Sequence, residues 1–166
     1  TFGSNGMVDF RQGITNGFPD GNISLSSPPK VYKNLLITGA RVQESPALGY
    51  AGDTRAWDLR TGKLVWQFHH IPHPGEVGHD TWEGDGWKNR SGANTWGFIS
   101  VDPALGLVYL PIGSPSYDFY GGDRKGANLF GNSIVALEAE TGKYRWHYQM
   151  IRHDTWDFDP GSAPVL

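Results

Sequence analysis

The segments AWDLRTGKLVW (residues 56–66) and ALEAETGKYRW (residues 136–146) share one pattern, and this pattern decides the fold. Both read Ala-x-[Asp/Glu]-x3-Gly-Lys-x2-Trp, and the second copy begins 80 residues after the first. An acid at the end of a strand can accept hydrogen bonds from turn amides, and the glycine supplies the positive φ that a tight turn requires. The tryptophan is large and flat enough to pack on a neighbouring repeat. Self-similarity at a fixed period predicts a tandem β-repeat.

Short strand-like segments fill the interval between the two copies. They form two predicted hairpins, one from residues 31–32 and 35–38 around Lys33 and Asn34, the other from residues 98–101 and 107–110 around residues 102–106. Each repeat therefore contains four short strands and long glycine-rich connections, which is typical of a β-propeller blade.

The predicted fold class is all-β, with four-stranded antiparallel blades that dock through tryptophan. We expect one blade at about residues 25–70, a second at about residues 94–150, and the start of a third at about residues 151–166. An open β-sandwich with a coincidental duplication is the alternative. Because two blades cannot close a ring, we expect the chain to be an excerpt of a longer protein that supplies the remaining blades.

Composition and charge exclude several classes of protein. The 166 residues include 23 Gly and 11 Pro, and no window sustains the apolar spacing of an amphipathic helix. The net charge is −3 and the basic residues are scattered, so we expect no nucleic-acid partner. No apolar run approaches the ~20 residues that span a bilayer. The chain has no cysteine, which excludes disulfides and thiolate chemistry.

Four further segments give the chain a family resemblance. They are SSPP (residues 26–29), GSP (113–115), YGGDR (120–124) and HDTWDFD (153–159). With these segments and the Trp-ended repeat, the chain resembles the pyrroloquinoline quinone (PQQ) dehydrogenases, which are eight-bladed propellers. The resemblance runs from Phe2 to Asp159, and the YGGDR loop is closest to the membrane-type glucose dehydrogenase branch.

The resemblance implies an activity and a setting. A sugar or alcohol would be oxidised by hydride transfer from its carbinol carbon to the quinone C5, and a quinone or cytochrome would accept the electrons. The parent protein would be periplasmic, with or without an inner-membrane anchor, and the isolated chain is expected to be inactive. Non-catalytic outer-membrane assembly lipoproteins share the repeat, so a scaffold propeller without enzyme activity is the alternative.

The resemblance also implies three residues that hold the cofactor. Trp96 stands where the family stacks PQQ on an indole, after a Gly/Asn loop and at the start of a strand. Ser26 aligns with a cofactor-contacting Thr of the family. Arg41 lies near the same end of the strand, and an Arg fork is a good partner for a carboxylate. The alternatives are a core tryptophan for Trp96 and an ordinary surface cation for Arg41.

The metal ligands and the base come from the same comparison. Glu44 falls on the metal-binding Glu of the family, and Ser114 replaces a metal-binding Asn, so the ion would hold extra water or bind less tightly. Asp157 matches the catalytic Asp, which accepts the hydroxyl proton and contacts the ion. Asp159 aligns with an additional ligand of lanthanide-dependent relatives. Oxygen ligands suit Ca2+, with Mg2+ or a lanthanide as alternatives. A solvated loop acid (Glu44) and a turn acid (Asp157) are the competing interpretations.

Two other motifs are interpreted as structural. His69, His70 and His73 have a spacing that would place His69 and His73 on one face of a helix, but Pro72 and Pro74 exclude a helix, so we expect no metal site there. The segment GHDTWE (residues 78–83) echoes HDTWD (153–157), which indicates a duplicated corner whose His and Asp side chains bond to the backbone.

Overall fold

The computed structural model describes residues 2–166, which form short antiparallel strands and a single turn of 3₁₀ helix at His79–Thr81. The strands are β1 (Ile23–Ser24), β2 (Lys30–Tyr32), β3 (Leu35–Thr38), β4 (Arg41–Val42), β5 (Thr54–Asp58), β6 (Leu64–Phe68), β7 (Ser100–Asp102), β8 (Leu107–Ile112), β9 (Ser133–Glu138) and β10 (Tyr144–Gln149). The all-β prediction is confirmed. Within the described part of the chain, no helix has the length and apolar character needed to cross a membrane.

The first four-stranded sheet has the order β2-β3-β5-β6, and every neighbouring pair is antiparallel. The predicted hairpin around Lys33 and Asn34 is confirmed, with Tyr32 paired to Leu35. Along β3, Leu35 and Ile37 are buried whereas Leu36 is only half-buried. Leu35 and Ile37 share one face of the strand and join the main apolar cluster, while on the other face Thr38 is buried and accepts a hydrogen bond from the indole of Trp57 at 3.1 Å.

The second sheet has the order β10-β9-β8-β7 and is also antiparallel throughout. Its first hairpin is close to the prediction, but β7 begins at Ser100 rather than Phe98, and β8 extends to Ile112. Phe98 lies before the strand and its side chain is exposed, so no burial in the core requires residue 98 to join the sheet. A smaller sheet of β1 and β4 lies beside a separate apolar cluster formed by Ile14, Ala40, Val42 and Tyr50.

The repeated turn has the chemistry that the sequence predicts. In the first copy the carboxylate of Asp58 accepts hydrogen bonds from the amides of Arg60 and Thr61 at 2.9 and 2.8 Å. Gly62 and Gly142 both have φ of 71°, a left-handed conformation that costs a glycine little. Asp58 therefore closes the hairpin between β5 and β6 as predicted. In the second copy the carboxylate of Glu138 instead accepts the hydroxyl of Thr141 at 2.8 Å and the guanidinium of Arg145 at 3.0 Å.

The tryptophan of the first copy joins the two sheets. Trp66 is only 7% exposed, and its indole Nε1 donates to the carbonyl of Ala139 at 3.1 Å, just beyond β9. The indole packs over Gly142, where an added Cβ would lie 2.6 Å from the ring. The corresponding Trp146 is 44% exposed and contacts Tyr109 of its own sheet. The docking role predicted for Trp66 is confirmed. The equivalent indole of Trp146 is partly exposed to solvent.

Candidate active site

A cavity of about 360 Å3 lies where four loops meet. The loops follow β4, precede β7, follow β8 and follow β10. Eight side chains line the cavity: Arg41, Glu44, Asn94, Trp96, Ser114, Asp118, Asp157 and Asp159. The volume is within the range of small-molecule sites, and the lining combines one aromatic ring with polar groups.

Trp96 is held at its backbone and at its ring. Its carbonyl accepts hydrogen bonds from the hydroxyls of Ser26 and Ser27 at 2.8 and 2.7 Å, and its indole Nε1 donates to Asp159 Oδ2 at 2.6 Å. Gly161 passes so close to the indole that an added Cβ would lie 2.6 Å from it. Trp96 does not start a strand as expected, because it lies in the loop that precedes β7. A half-buried ring fixed in this way is a rigid wall of the cavity.

Ser114 and Asp159 are joined directly. The amide of Ser114 donates to Asp159 Oδ1 at 2.5 Å. The hydroxyl of Ser114 donates to Asp154 Oδ2 at 2.8 Å and accepts a hydrogen bond from the side-chain amide of Asn132 at 3.0 Å. The hydroxyl proton of Ser114 is therefore committed to Asp154, and one lone pair of its oxygen remains for another partner.

Asp154 organises the segment that carries the predicted base. Its buried carboxylate accepts hydrogen bonds from the amides of Trp156 and Phe158 at 3.0 and 2.8 Å, in addition to those from Ser114 and Asn132. Asp157 lies between the two amides with φ of 59°, a left-handed conformation that Asp tolerates better than most residues. The bend turns residue 157 to the cavity.

The pKa of Asp157 is raised above its ordinary value. Burial is the largest cause, and the negative charges of Asp159, Glu44 and Asp154 add to it. Each of these effects disfavours the ionised form. The nearest cation on this side is Arg41, whose guanidinium lies 3.9 Å from Glu44, and both side chains are more than half exposed. An exposed pair of this kind neutralises little of the charge.

Asp118 carries the larger shift. Its side chain is only 6% exposed, and its pKa is raised to about 7 by burial and by the charges of Asp157, Glu44 and Asp159. The guanidinium of Arg124 acts in the opposite direction but does not compensate. Four carboxyl groups thus share one cavity and repel one another, and a bound cation would relieve the repulsion.

The donors around the cavity fit both a hard cation and a planar ligand. Carboxylate, amide and hydroxyl oxygens are the ligands that Ca2+ prefers, and Glu44, Asp157, Asp159 and Ser114 place such groups in the lining of the cavity. The indole of Trp96 offers a flat apolar surface beside these oxygens.

The family model for the β-propeller domain of the PQQ-dependent glucose/ethanol/alcohol dehydrogenases matches residues 1–166. The chain belongs to this PQQ dehydrogenase family. It is 37% identical to the quinoprotein glucose dehydrogenase of Gluconobacter oxydans and 35% identical to the quinate/shikimate dehydrogenase (quinone) of Acinetobacter baylyi. Each alignment covers 99% of this chain and 20% of the relative.

Solved structures of PQQ dehydrogenases have the same fold. A quinohemoprotein alcohol dehydrogenase of Pseudomonas putida has a TM-score of 0.70 and 34% identity, covering 79% of this chain and 20% of that one. A europium-containing methanol dehydrogenase also has a TM-score of 0.70, with 32% identity over 82% of this chain and 26% of that one. The propeller prediction is thereby confirmed. The chain spans about a fifth of the length of the curated relatives it matches.

The structure brings six of the seven predicted PQQ-site residues to one cavity: Arg41, Glu44, Trp96, Ser114, Asp157 and Asp159. The seventh, Ser26, lies outside the cavity lining. Its hydroxyl donates a hydrogen bond to the carbonyl of Trp96. The placement agrees with a quinoprotein site, whereas the individual roles of these residues stay predictions.

Asn94 and Asp118 line the cavity but were not among the predicted site residues, and Asp154 was predicted only as part of a corner whose side chains bond to the backbone. Asn94 precedes the predicted Trp96 by two positions, and its amide donates to the carbonyl of Ala40 at 3.0 Å. Asp118 lies within the loop that begins at GSP, and Asp154 opens the HDTWD motif. Their position in or near a motif was the only sign in the sequence. The burial that distinguishes Asp118 and Asp154 is a property of the fold.

The YGGDR loop supports the same network. Arg124 is buried and donates to Asn128 Oδ1 at 2.9 Å, to the carbonyl of Tyr117 at 3.1 Å and to the carbonyl of Asp154. Its guanidinium therefore ties the loop that carries Asp118 to the segment that carries Asp157. The arginine of the YGGDR motif therefore has a structural role, because its hydrogen bonds join two loops of the site.

The echoed corner is only partly duplicated. His79 and His153 each place Nδ1 2.9 Å from a backbone carbonyl, those of Pro72 and Gly126 respectively, as predicted. Asp154 is buried and accepts two backbone amides, whereas Asp80 at the matching position is exposed. The first corner therefore lacks the buried carboxylate whose hydrogen bonds to the backbone orient Asp157 in the second corner.

Proposed function

We propose that the protein containing this chain is a PQQ-dependent dehydrogenase that oxidises a hydroxyl group of a sugar or alcohol, with Asp157 as general base and Ca2+ as Lewis acid. The observation that carries the proposal is the convergence of Trp96, Glu44, Asp157 and Asp159 on one cavity. The proposal agrees with membership of the family and adds roles for individual residues.

The residues divide into those for the quinone and those for the cation. The face of Trp96 would stack on the planar quinone, with Ser26 and Ser27 fixing the backbone beneath it. Arg41 would pair with a cofactor carboxylate. Glu44, Asp157, Asp159 and the free lone pair of Ser114 would bind Ca2+, with Mg2+ or a lanthanide as alternatives. A relative whose structure contains europium is consistent with a site that takes more than one hard cation.

When bound, PQQ would supply the hydride acceptor and the cation would supply Lewis acidity. The chain supplies the proton acceptor. A carboxylate oxygen of Asp157 would take the substrate hydroxyl proton, and a cation bound beside it would favour the ionised form that accepts this proton. Asp154 holds the bend that presents Asp157, and Asp159 fixes the indole of Trp96.

The substrate would be a small polyhydroxylated molecule. Relatives are named for glucose, for quinate and shikimate, and for glycerol. The polar lining of the cavity suits a substrate rich in hydroxyl groups. We further propose that a quinone or cytochrome accepts the electrons and that the enzyme acts in the periplasm, as the family implies.

The direct test is Asp157→Asn in the full-length protein, reconstituted with PQQ and Ca2+ and assayed with a dye acceptor. A general base contributes about 100-fold or more, so kcat/KM should fall by at least about 100-fold. Glu83→Gln is the matched control, because Glu83 is exposed and occupies the corresponding position of the echoed corner. Near-wild-type turnover of Asp157→Asn would contradict the assignment.

The scaffold alternative is separated by cofactor binding. A scaffold propeller has no need for an indole and several carboxylates around one cavity, and it predicts no affinity for PQQ. Titration of the apo-protein with PQQ should quench tryptophan fluorescence, and Trp96→Phe should reduce the quenching. Absence of saturable quenching in the full-length protein would favour the scaffold.

A further inference from the structure

Three side chains that follow β6 form a cluster of nitrogen and oxygen donors. His69 Nδ1 lies 2.8 and 3.1 Å from the two carboxylate oxygens of Glu76. The imidazoles of His69 and His73 are stacked, with centroids 4.0 Å apart and planes inclined by 21°. One ligand atom from each of the three residues lies within 4.8 Å of the other two. The sequence analysis expected no metal site here because prolines exclude a helix, but the loop brings the residues together without one.

The loop that makes the cluster is closed by Glu76 itself. Its second carboxylate oxygen accepts the backbone amide of His73 at 2.7 Å, which holds residues 73–76 in a turn. Pro72 and Pro74 limit the backbone on both sides of His73. The site is therefore a short, restrained loop, whose ligand spacing does not depend on a regular helix.

His70 has a separate, structural role. It is buried, its Nδ1 donates to the carbonyl of Ala93 at 2.6 Å, and its Nε2 accepts the amide of Thr54 at 3.1 Å. Burial lowers its pKa to about 4, so the ring is neutral at ordinary pH. Both nitrogens of His70 are occupied, and the neighbouring residues His69 and His73 are left to bind a ligand.

We propose that His69, His73 and Glu76 bind one divalent transition-metal ion of the Zn2+ type. Two imidazoles and a carboxylate are ligands that this class of ion takes in proteins, with water completing a tetrahedral site. In such a site neighbouring ligand atoms lie about 3.3 Å apart, close to the separations between His69 and Glu76. The His73 ring has to tilt out of the stack so that its lone pair points at the ion.

The surroundings support the ligands. The buried carboxylate of Asp53 lies 4.0 Å from His69 Nε2, on the side of the ring opposite Glu76. Asp53 is fixed by the Gln67 amide at 2.7 Å and by the backbone amide of His70 at 3.0 Å. This separation is too long for a hydrogen bond, so Asp53 contributes a nearby negative charge that favours a cation at the site.

Access also favours the site. The His73 side chain is exposed, so its ring is free to turn toward an ion. A cavity of about 250 Å3 borders His69 and His73 and is also lined by Trp87 and Asn89. This cavity gives water or a small ligand access to an open coordination position. The site shares no residue with the quinone cavity.

The test uses the full-length protein, stripped with a chelator and then supplied with excess Ca2+ to occupy oxygen-only sites. Zn2+ is titrated in competition with a chromophoric chelator, and Co2+ serves as a spectroscopic probe. We expect saturable Zn2+ binding and a Co2+ spectrum of tetrahedral intensity. His73→Ala and Glu76→Gln should each weaken Zn2+ binding at least about 10-fold.

His153→Ala is the matched control, since His153 bonds to the carbonyl of Gly126 and lines neither of the cavities that border His69. Asp157→Asn should retain Zn2+ binding, which separates this site from the proposed catalytic one. Equal Zn2+ affinity in the wild type, His73→Ala and Glu76→Gln would overturn the proposal, as would absence of saturable binding. If His73→Ala fails to fold, Glu76→Gln and the Co2+ spectrum decide the question.

Discussion

Replacing Asp118 with Asn should make the chain more stable at alkaline pH and change its pH dependence. In the folded chain the pKa of Asp118 is raised from 3.8 to about 7, chiefly by burial and then by Asp157, Glu44 and Asp159. Between about pH 4 and 7 the folded state therefore holds a proton that the unfolded state has lost. By linkage, stability falls as the pH rises through this window, and the loss is complete above the folded pKa.

The size of the effect follows from the shift. About three pKa units at 1.36 kcal/mol each correspond to about 4 kcal/mol. This is an upper limit, because solvent in the open cavity screens the carboxylates. Asn has a similar volume and carries no charge. We therefore expect Asp118→Asn to be more stable than the wild type by about 2–4 kcal/mol at pH 8, and nearly equal to it at pH 4.

Urea unfolding followed by tryptophan fluorescence, with a chelator present, measures the difference at each pH. Other titrating groups cancel when the variant is compared with the wild type at the same pH. Asp20→Asn is the control, because Asp20 is exposed and distant from the cavity lining. A difference at pH 8 below about 0.5 kcal/mol would refute the claim that burial and the neighbouring carboxyl groups disfavour the ionised form of Asp118. Addition of Ca2+ at pH 8 should then stabilise the wild type more than the variant, because the cation replaces the missing counter-charge.

Two further substitutions test the packing and the network. Trp66→Ala should cost about 3–5 kcal/mol in the urea unfolding of this chain, because the buried indole joins the two sheets, and the loss should be less than half as large for the exposed Trp146→Ala. Equal losses would contradict the docking assignment. Asp154→Asn should lower kcat/KM of the full-length enzyme by about 10- to 100-fold while PQQ still quenches the fluorescence, because the bend that presents Asp157 loses charge-assisted acceptors. Unchanged turnover would show that the bend does not depend on the Asp154 charge.

The sequence predicted the residues of the cavity better than their interactions. Trp96, Glu44, Asp157 and Asp159 were identified through the resemblance to the PQQ dehydrogenases, and they meet in the structure. The use of the Ser114 hydroxyl by Asp154 could not be predicted, because the two residues are 40 positions apart and nothing local pairs them. The burial of Asp118 could not be predicted either, because it depends on loops that are far apart in the chain and meet at the cavity.

The cluster of His69, His73 and Glu76 shows a second limit of prediction from sequence, which concerns residues that are close in the chain. The spacing of His69 and His73 suits a helix, and Pro72 and Pro74 exclude that arrangement. A turn closed by the Glu76 carboxylate on the His73 amide brings the same residues together. A spacing rule for one secondary structure says little about a loop, whose shape depends on side chains that bond back to the backbone.

By itself, the sequence determined the hairpins and their repetition. The carboxylate of Asp58, the left-handed Gly62 and the strands on either side interact within a few residues, so local sterics and hydrogen bonding are enough to specify them. Only the tertiary structure decided which distant side chains meet, which hydroxyl remains free and which carboxyl is buried. These properties depend on how sheets and loops pack, because desolvation and charge repulsion act between groups that are close in space and far apart in the chain.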